Sequence, residues 1–171
     1  MAHVELLADS DVVSYIYKRE PRGQAFSDLI GGRPTGITLL SVAESRKGAV
    51  YANWGDREIA RLHAFLSRFF VVEFNAEIAN VCGGLLGRCP QIGVSISWPD
   101  AWAAATALWL DVPLVAHDRD LEGVPGLRVL TVHANWQVRE TDRGAYEGGP
   151  LWLGETPSRS LYRHAVGSAH Q

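Results

Sequence analysis

The sequence predicts an α/β fold: a three-layer α/β/α domain with a central parallel sheet of four to five strands. Short apolar runs recur along the chain without alternating polar residues, as strands covered on both faces require. Between them lie helical periodicities long enough for the crossovers that join parallel neighbours. This order holds over residues 1–133 and then fails, so that residues 134–171 read as a partly ordered or disordered C-terminal extension.

Val4 to Ala8 is the first strand, ending at Asp9-Ser10-Asp11, any of which suits a helix cap. Val12, Val13, Ile16 and Tyr17 then recur with helical spacing. Pro21 opens a second helical segment, with Phe26, Leu29 and Ile30 on one face, and Gly31-Gly32 stops it. Thr35 to Leu40 is the second strand. Ser41-Val42-Ala43-Glu44 has the form of a capping box, which puts a helix start at Ser41. Asp56 to Arg68 is an amphipathic helix with Ile59, Leu62, Leu66 and Phe69 inward. Phe70 to Phe74 is the third strand, followed by a helix over Ala76 to Leu86. Pro99 and Asp100 open the most apolar helix, with Trp102 and Trp109 as core. Pro113 to Ala116 and Arg128 to Val132 are the last two strands. The extension has five glycines and two prolines and no sustained period. Trp136 and Leu151-Trp152-Leu153 are its candidates for short docked pieces.

Composition narrows the function classes. Hydrophobic residues are 47% and charged residues 20%, a globular mix. No apolar run approaches the ~18 residues of a membrane span. Met1-Ala2-His3-Val4-Glu5 has no basic n-region, so the expectation is a cytoplasmic protein without membrane contact. Cys82 and Cys89, seven residues apart on one helix, would stand about 10 Å from each other and read as buried thiols. The net charge is −3, against general nucleic-acid binding, yet 14 of the 16 basic residues are Arg, and many lie between Arg19 and Arg68.

The acids carry the functional argument. Ligands of an open parallel sheet bind beyond the carboxyl ends of its strands. Asp9 follows strand one, Glu44 lies in the first turn after strand two, Asp100 opens a buried helix, and Asp118 follows strand four. Each has an individual structural role open to it, as helix cap, capping-box partner, dipole complement or turn residue. Together they occupy the same end of successive strand–helix units. Carboxylates gathered there without His or Cys favour a hard divalent cation, Mg²⁺ or Mn²⁺, and with it phosphate chemistry.

The motifs are familiar in series. Leu6-Leu7-Ala8-Asp9-Ser10-Asp11-Val12-Val13-Ser14-Tyr15 resembles the opening of PIN-domain ribonucleases of the VapC toxin type. Ser41-Val42-Ala43-Glu44-Ser45-Arg46-Lys47-Gly48-Ala49, followed by Trp54-Gly55, resembles their second motif. Pro99-Asp100-Ala101-Trp102-Ala103-Ala104-Ala105-Thr106-Ala107 resembles the third. Pro113-Leu114-Val115-Ala116-His117-Asp118-Arg119-Asp120-Leu121, with Val124-Pro125-Gly126-Leu127, resembles the last. Ser10, Ala116 and Leu121 depart from the Thr, Thr and Phe common at these positions; the lost hydroxyl at Ala116 bears on rate or metal placement.

The resemblance implies a metal-dependent endoribonuclease toxin of a toxin–antitoxin system, cleaving RNA (tRNA among the expected targets) and inhibited by a cognate antitoxin. By position, Asp9, Glu44, Asp100 and Asp118 would be its catalytic and metal-site acids, with Asp120 an alternative or helper to Asp118. Arg19, Arg46, Lys47 and Arg57 are candidates for holding RNA phosphates, as are Arg22, Arg33 and Arg61, and Trp54 and Tyr51 for stacking on bases; a solvated Arg-rich surface with core aromatics is the competing reading. His117 is either a phosphate contact or a polar-turn residue. Such toxins pair as homodimers, and the expected antitoxin surface spans Tyr15 to Phe26 and the helices of Ser41 to Arg68. Two other readings compete. One is a catalytically silent PIN-fold binding module. The other is a haloacid-dehalogenase-like phosphatase, suggested by Asp9-Ser10-Asp11 but lacking a downstream Lys, since the chain's lysines are Lys18 and Lys47.

Overall fold

Leu6, Leu7 and Ala8 are wholly excluded from solvent, as a strand flanked on both edges and both faces must be. They form β1 (Leu6–Ala8) of a six-stranded sheet in the computed structural model, which describes residues 3–132 and 138–142. β2 is Thr35–Thr38, β3 Phe70–Val72, β4 Leu114–Val115, β5 Arg128–Val132 and β6 Val138–Asp142. The spatial order is β3-β2-β1-β4-β5-β6. All pairings are parallel except that of β6, which runs antiparallel to β5 with Val132 opposite Val138 and Arg128 opposite Asp142.

The chain winds outward from β1 to β3, then returns to place β4 on the other side of β1. The crossover from β1 to β2 is α1 (Ser10–Tyr17) and α2 (Pro21–Ile30), and that from β2 to β3 is α3 (Leu39–Tyr51) and α4 (Asp56–Leu66). α5 (Ala76–Arg88) and α6 (Trp98–Leu110) carry the chain across the opposite face to β4. Two cores result. Leu6, Ala8, Ile37, Val115 and Leu130 point toward α1–α4, while Leu7, Leu114, Ala116 and Val129 point toward α5 and α6. The three-layer reading is therefore borne out.

Several details differ from expectation. α3 starts at Leu39 because Thr38 is the cap, its hydroxyl accepting from the Ser41 backbone N–H at 3.2 Å. Ser41 is thus inside the helix, and no capping box joins it to Glu44. α6 likewise begins at Trp98, capped by the Ser97 hydroxyl, which accepts from the Asp100 N–H. β6 was not foreseen: its sequence, Val-Arg-Glu-Thr-Asp, is mostly exposed and lacks the apolar run of the other strands. It makes the sheet one strand larger than expected and gives the extension an ordered, antiparallel piece. Trp136 and Leu151-Trp152-Leu153 lie outside the described residues. Cys82 and Cys89 are free and buried, as expected, and burial pushes the Cys82 thiol up to about 11. Trp102 stacks on Phe74 against the α5–α6 core, while Trp109 donates to Glu77 at 2.7 Å.

The corner between α1 and α2 is made by close backbone approach. Arg19, in the left-handed region (φ 55°), turns the chain, and the Glu20 N–H donates to the Tyr15 carbonyl at 3.2 Å. Gly23 then lies so near that carbonyl that a Cβ on it would stand 2.1 Å from the oxygen. Gly23→Ala must therefore push the two helices apart. We expect a loss of about 1–3 kcal/mol, the range for overpacking, read from the urea midpoint at unchanged m-value.

Candidate active site

The point where strand order reverses lies between β1 and β4, and the exits of those strands bound the crevice in which such sheets bind ligands. Asp9 leaves β1 here, its N–H donating to the Val115 carbonyl at 3.0 Å. Side chains alternate across a strand, so Asp9 continues the row of Leu7 toward the α5–α6 layer. Asp118 lies three residues beyond β4, after a bend at His117. Asp100, in the first turn of α6, belongs to the same layer.

Asp9 occupies the N-cap position of α1, yet its side chain makes no capping hydrogen bond. Only 8% of it is exposed. Burial pushes its carboxyl up from 3.8 to about 7; the Ser10 backbone N–H opposes this, while the charges of Asp100, Asp11 and Glu44 raise it further. Three acids, from α1, α3 and α6, thus act on the buried one. Asp100 is held by the Ser97 hydroxyl, which donates to its Oδ2. A hydroxyl relay ties the exits of β1 and β2, with Ser10 donating to Ser41 at 3.0 Å and Ser41 lying 3.2 Å from the Thr38 hydroxyl.

The remaining predicted residues fall differently. Asp118 is exposed, its Oδ1 accepting from the Asp120 N–H at 2.9 Å in a side-chain turn, and it is not among the charges raising Asp9. Asp120 is exposed as well, at the start of the short 3₁₀ turn Asp120–Gly123. As arranged, no three His, Cys, Asp or Glu side chains among the described residues close around a single point that would hold an ion. The donor chemistry nonetheless fits a hard divalent cation: all oxygen, with like charges that a cation would relieve. Arg19, Arg46, Lys47 and Arg57 are exposed and form no ion pair among the described residues. Trp54 is half-buried against Tyr17, at 5.6 Å between ring centres, and so is a packing residue on that side, whereas Tyr51 is 90% exposed.

Two features here go beyond the sequence reading, which did not place Asp11 among the site acids and offered His117 as a phosphate contact or a polar-turn residue. Asp11, visible in the Asp-x-Asp pattern, adds to the acidic field. His117 lies between the edges of Tyr15 and Phe26 and faces Arg22, 95 positions away, a proximity that no local signal reveals.

Residues 6–127 match the PIN domain family over most of the chain. This chain is a PIN domain. Membership makes it a nuclease of a family that generally depends on divalent metal, and sets aside the phosphatase reading. No curated protein sequence matches it. The fold is similar to that in the Rickettsia felis VapBC2 complex bound to a promoter DNA fragment, with a TM-score of 0.66 and 20% identity, covering 75% of this chain and 98% of that one. The DNA-bound VapBC of Salmonella typhimurium gives 0.65 and 20%, covering 78% and 99%. FitAB of the IR36 DNA complex gives 0.66 and 17%, covering 78% and 97%.

The raised Asp9 carboxyl has a consequence for stability. Unfolded, Asp9 ionises near 3.8; folded, near 7. Between those values the folded state binds the proton more tightly, so stability conferred at low pH is lost as pH rises through the window, levelling off above 7. The ceiling is on the order of 4 kcal/mol. In EDTA, Asp9→Asn should flatten this slope and make the protein more stable at pH 8. Urea unfolding of parent and variant at pH 5, 6.5 and 8 checks it; parallel pH profiles would contradict the assignment.

Proposed function

We propose that this PIN domain is a VapC-type toxin, an Mg²⁺- or Mn²⁺-dependent endoribonuclease acting on cytoplasmic RNA and restrained by a cognate antitoxin. The observation that carries the reading is the buried Asp9 carboxylate under the field of Asp100, Asp11 and Glu44 at the sheet's switch point. An acid is placed at such cost only where a cation or a proton is to be held. Neighbouring folds that come from toxin–antitoxin complexes support the toxin assignment.

Asp9, Glu44 and Asp100 would hold the ion, with Asp118 completing the set at the β4 exit and Asp120 fixing the Asp118 carboxylate through its backbone N–H. Bound there, Mg²⁺ or Mn²⁺ supplies Lewis-acid charge to a phosphodiester and acidity to water. The protein's own contribution is orientation: burial fixes Asp9, Ser97 fixes Asp100, and the Ser10–Ser41 relay fixes the segment from which Glu44 projects. No side-chain nucleophile is required.

For the antitoxin and the homodimer, the surface at hand differs from the expected one in part. Phe26 is wholly buried and unavailable, whereas Leu39, Val50 and Tyr51 present apolar area along α3. Among the described residues no helix is long and apolar enough to cross a membrane.

Purified chain should cut single-stranded or loop RNA with Mn²⁺ and stop in EDTA. Asp100→Asn should lower cleavage by at least about a hundredfold, the scale of losing a charge that stabilises a transition state. Asn still accepts from Ser97, so apo stability should stay level or rise slightly as repulsion on Asp9 falls. A variant that melts lower in EDTA yet cleaves at the parental rate would make Asp100 a structural residue.

A further inference from the structure

We propose that Arg22 is an RNA-phosphate-binding residue that positions the strand beside the acidic rim, with Tyr15 and His117 fixing its guanidinium. The proposal rests on the ribonuclease reading and adds to it a residue outside the acid constellation.

Arg22 is the second residue of α2, and its guanidinium reaches back to the β4 exit. Its NH1 lies 3.2 Å from His117 Nε2, one residue before Asp118. The guanidinium carbon sits 4.7 Å from the centre of the Tyr15 ring, on the helix that leaves Asp9. The side chain is thus held from α1, which follows Asp9, and from the β4 exit just before Asp118.

The His117 contact has a defined polarity. A guanidinium only donates, so Nε2 is the acceptor of this contact. Nδ1 is buried without a hydrogen-bond partner among the described residues. Turning the ring would present carbon to Arg22 in place of Nε2. Edge contacts with Tyr15 (5.4 Å) and Phe26 (6.2 Å) hold the ring as it is. The ring thus keeps an acceptor nitrogen facing Arg22. An imidazole acceptor orients the guanidinium without bringing the opposite charge of a carboxylate.

The charge stays available for a ligand. The ion pair of Arg22 is with Glu20 at 3.7 Å, both side chains partly exposed, which is long for a charge-assisted bond and screened by water. No rim acid pairs with it among the described residues. His117 packs against Tyr15 of α1 and Phe26 of α2, and Asp118 is the next residue. Arg22 accordingly stands beside the rim, on the α1–α2 side of the β4 exit, where a phosphate next to the one being cut would pass. RNA meets repulsion from the acids, so its register must come from fixed cations outside them. A planar fork held by ring and hydrogen bond suits a phosphate. Arg19, Arg46, Lys47 and Arg57 make no side-chain hydrogen bond, ion pair or ring contact among the described residues and offer charge without fixed direction.

The test is cleavage of a short single-stranded RNA in Mn²⁺ across a KCl series, for the parent, Arg22→Gln, Arg22→Lys and His117→Phe. Arg22→Gln should raise KM by about tenfold with kcat nearly unchanged. The slope of log(1/KM) against log[salt] should become shallower by about 0.7, the signature of one lost phosphate contact on a single strand. Arg22→Lys should keep the slope but not the parental KM, because an ammonium cannot use the fork. His117→Phe, which keeps the aromatic packing, should raise KM with the slope intact. Parental KM and salt slope in folded Arg22→Gln would overturn the proposal while leaving the ribonuclease reading standing, even if suppression by an antitoxin weakened. If Arg22→Gln does not fold, parental KM in both Arg22→Lys and His117→Phe overturns it. A parent chain that neither binds nor cuts RNA would overturn both.

Discussion

Parallel strands cannot be joined by a tight turn, so each must leave the sheet at the same edge and return by a crossover. This constraint governs the protein. It brings the residues following β1, β2 and β4 to one rim, and delivers the first turn of α6 to the same place. Acids far apart in sequence become neighbours because the backbone has no other way to close its hydrogen bonds. The reversal of strand order at β1 and β4 falls among them, and the most enclosed of these acids is Asp9.

Enclosing a carboxylate beside others works against folding, and the surrounding design shows how it is tolerated. The two cores on either side of β1 are continuous and well filled, and β1 itself is wholly buried. Helix ends near the rim are capped by Thr38 on α3 and Ser97 on α6, while Asp9, at the N-cap position of α1, makes no capping hydrogen bond. Hydroxyls do the local holding, so that the charge remains for a ligand. The same division of labour recurs at His117, where an imidazole orients the Arg22 guanidinium.

How much of this was legible in the chain depended on the range of each signal. Apolar runs and helical periods are local, and they located β1 to β5 and all six helices to within a few residues. The acids were legible because strand-end position is itself a local property that the fold makes global. The start of α3 was misplaced because Ser-x-x-Glu and Thr-x-x-Ser overlap at Ser41, and only the backbone decides which hydroxyl caps. β6 was invisible since an exposed edge strand needs no apolar pattern; its pairing with β5 supplies what its side chains do not. The Arg22–His117 contact joins residues of separate crossovers and has no sequence signature at all.

The antiparallel sense of β6 has a geometric outcome. β5 ends at the rim, and β6 starts there, but by Asp142 the chain lies alongside Arg128, at the opposite pole of the sheet. A sixth parallel strand would instead have delivered its carboxyl end, and whatever followed, into the mouth of the crevice. The reversal thus acts as a switchback: it lengthens the sheet, covers the edge of β5, and leaves Asp142 at the pole opposite the rim.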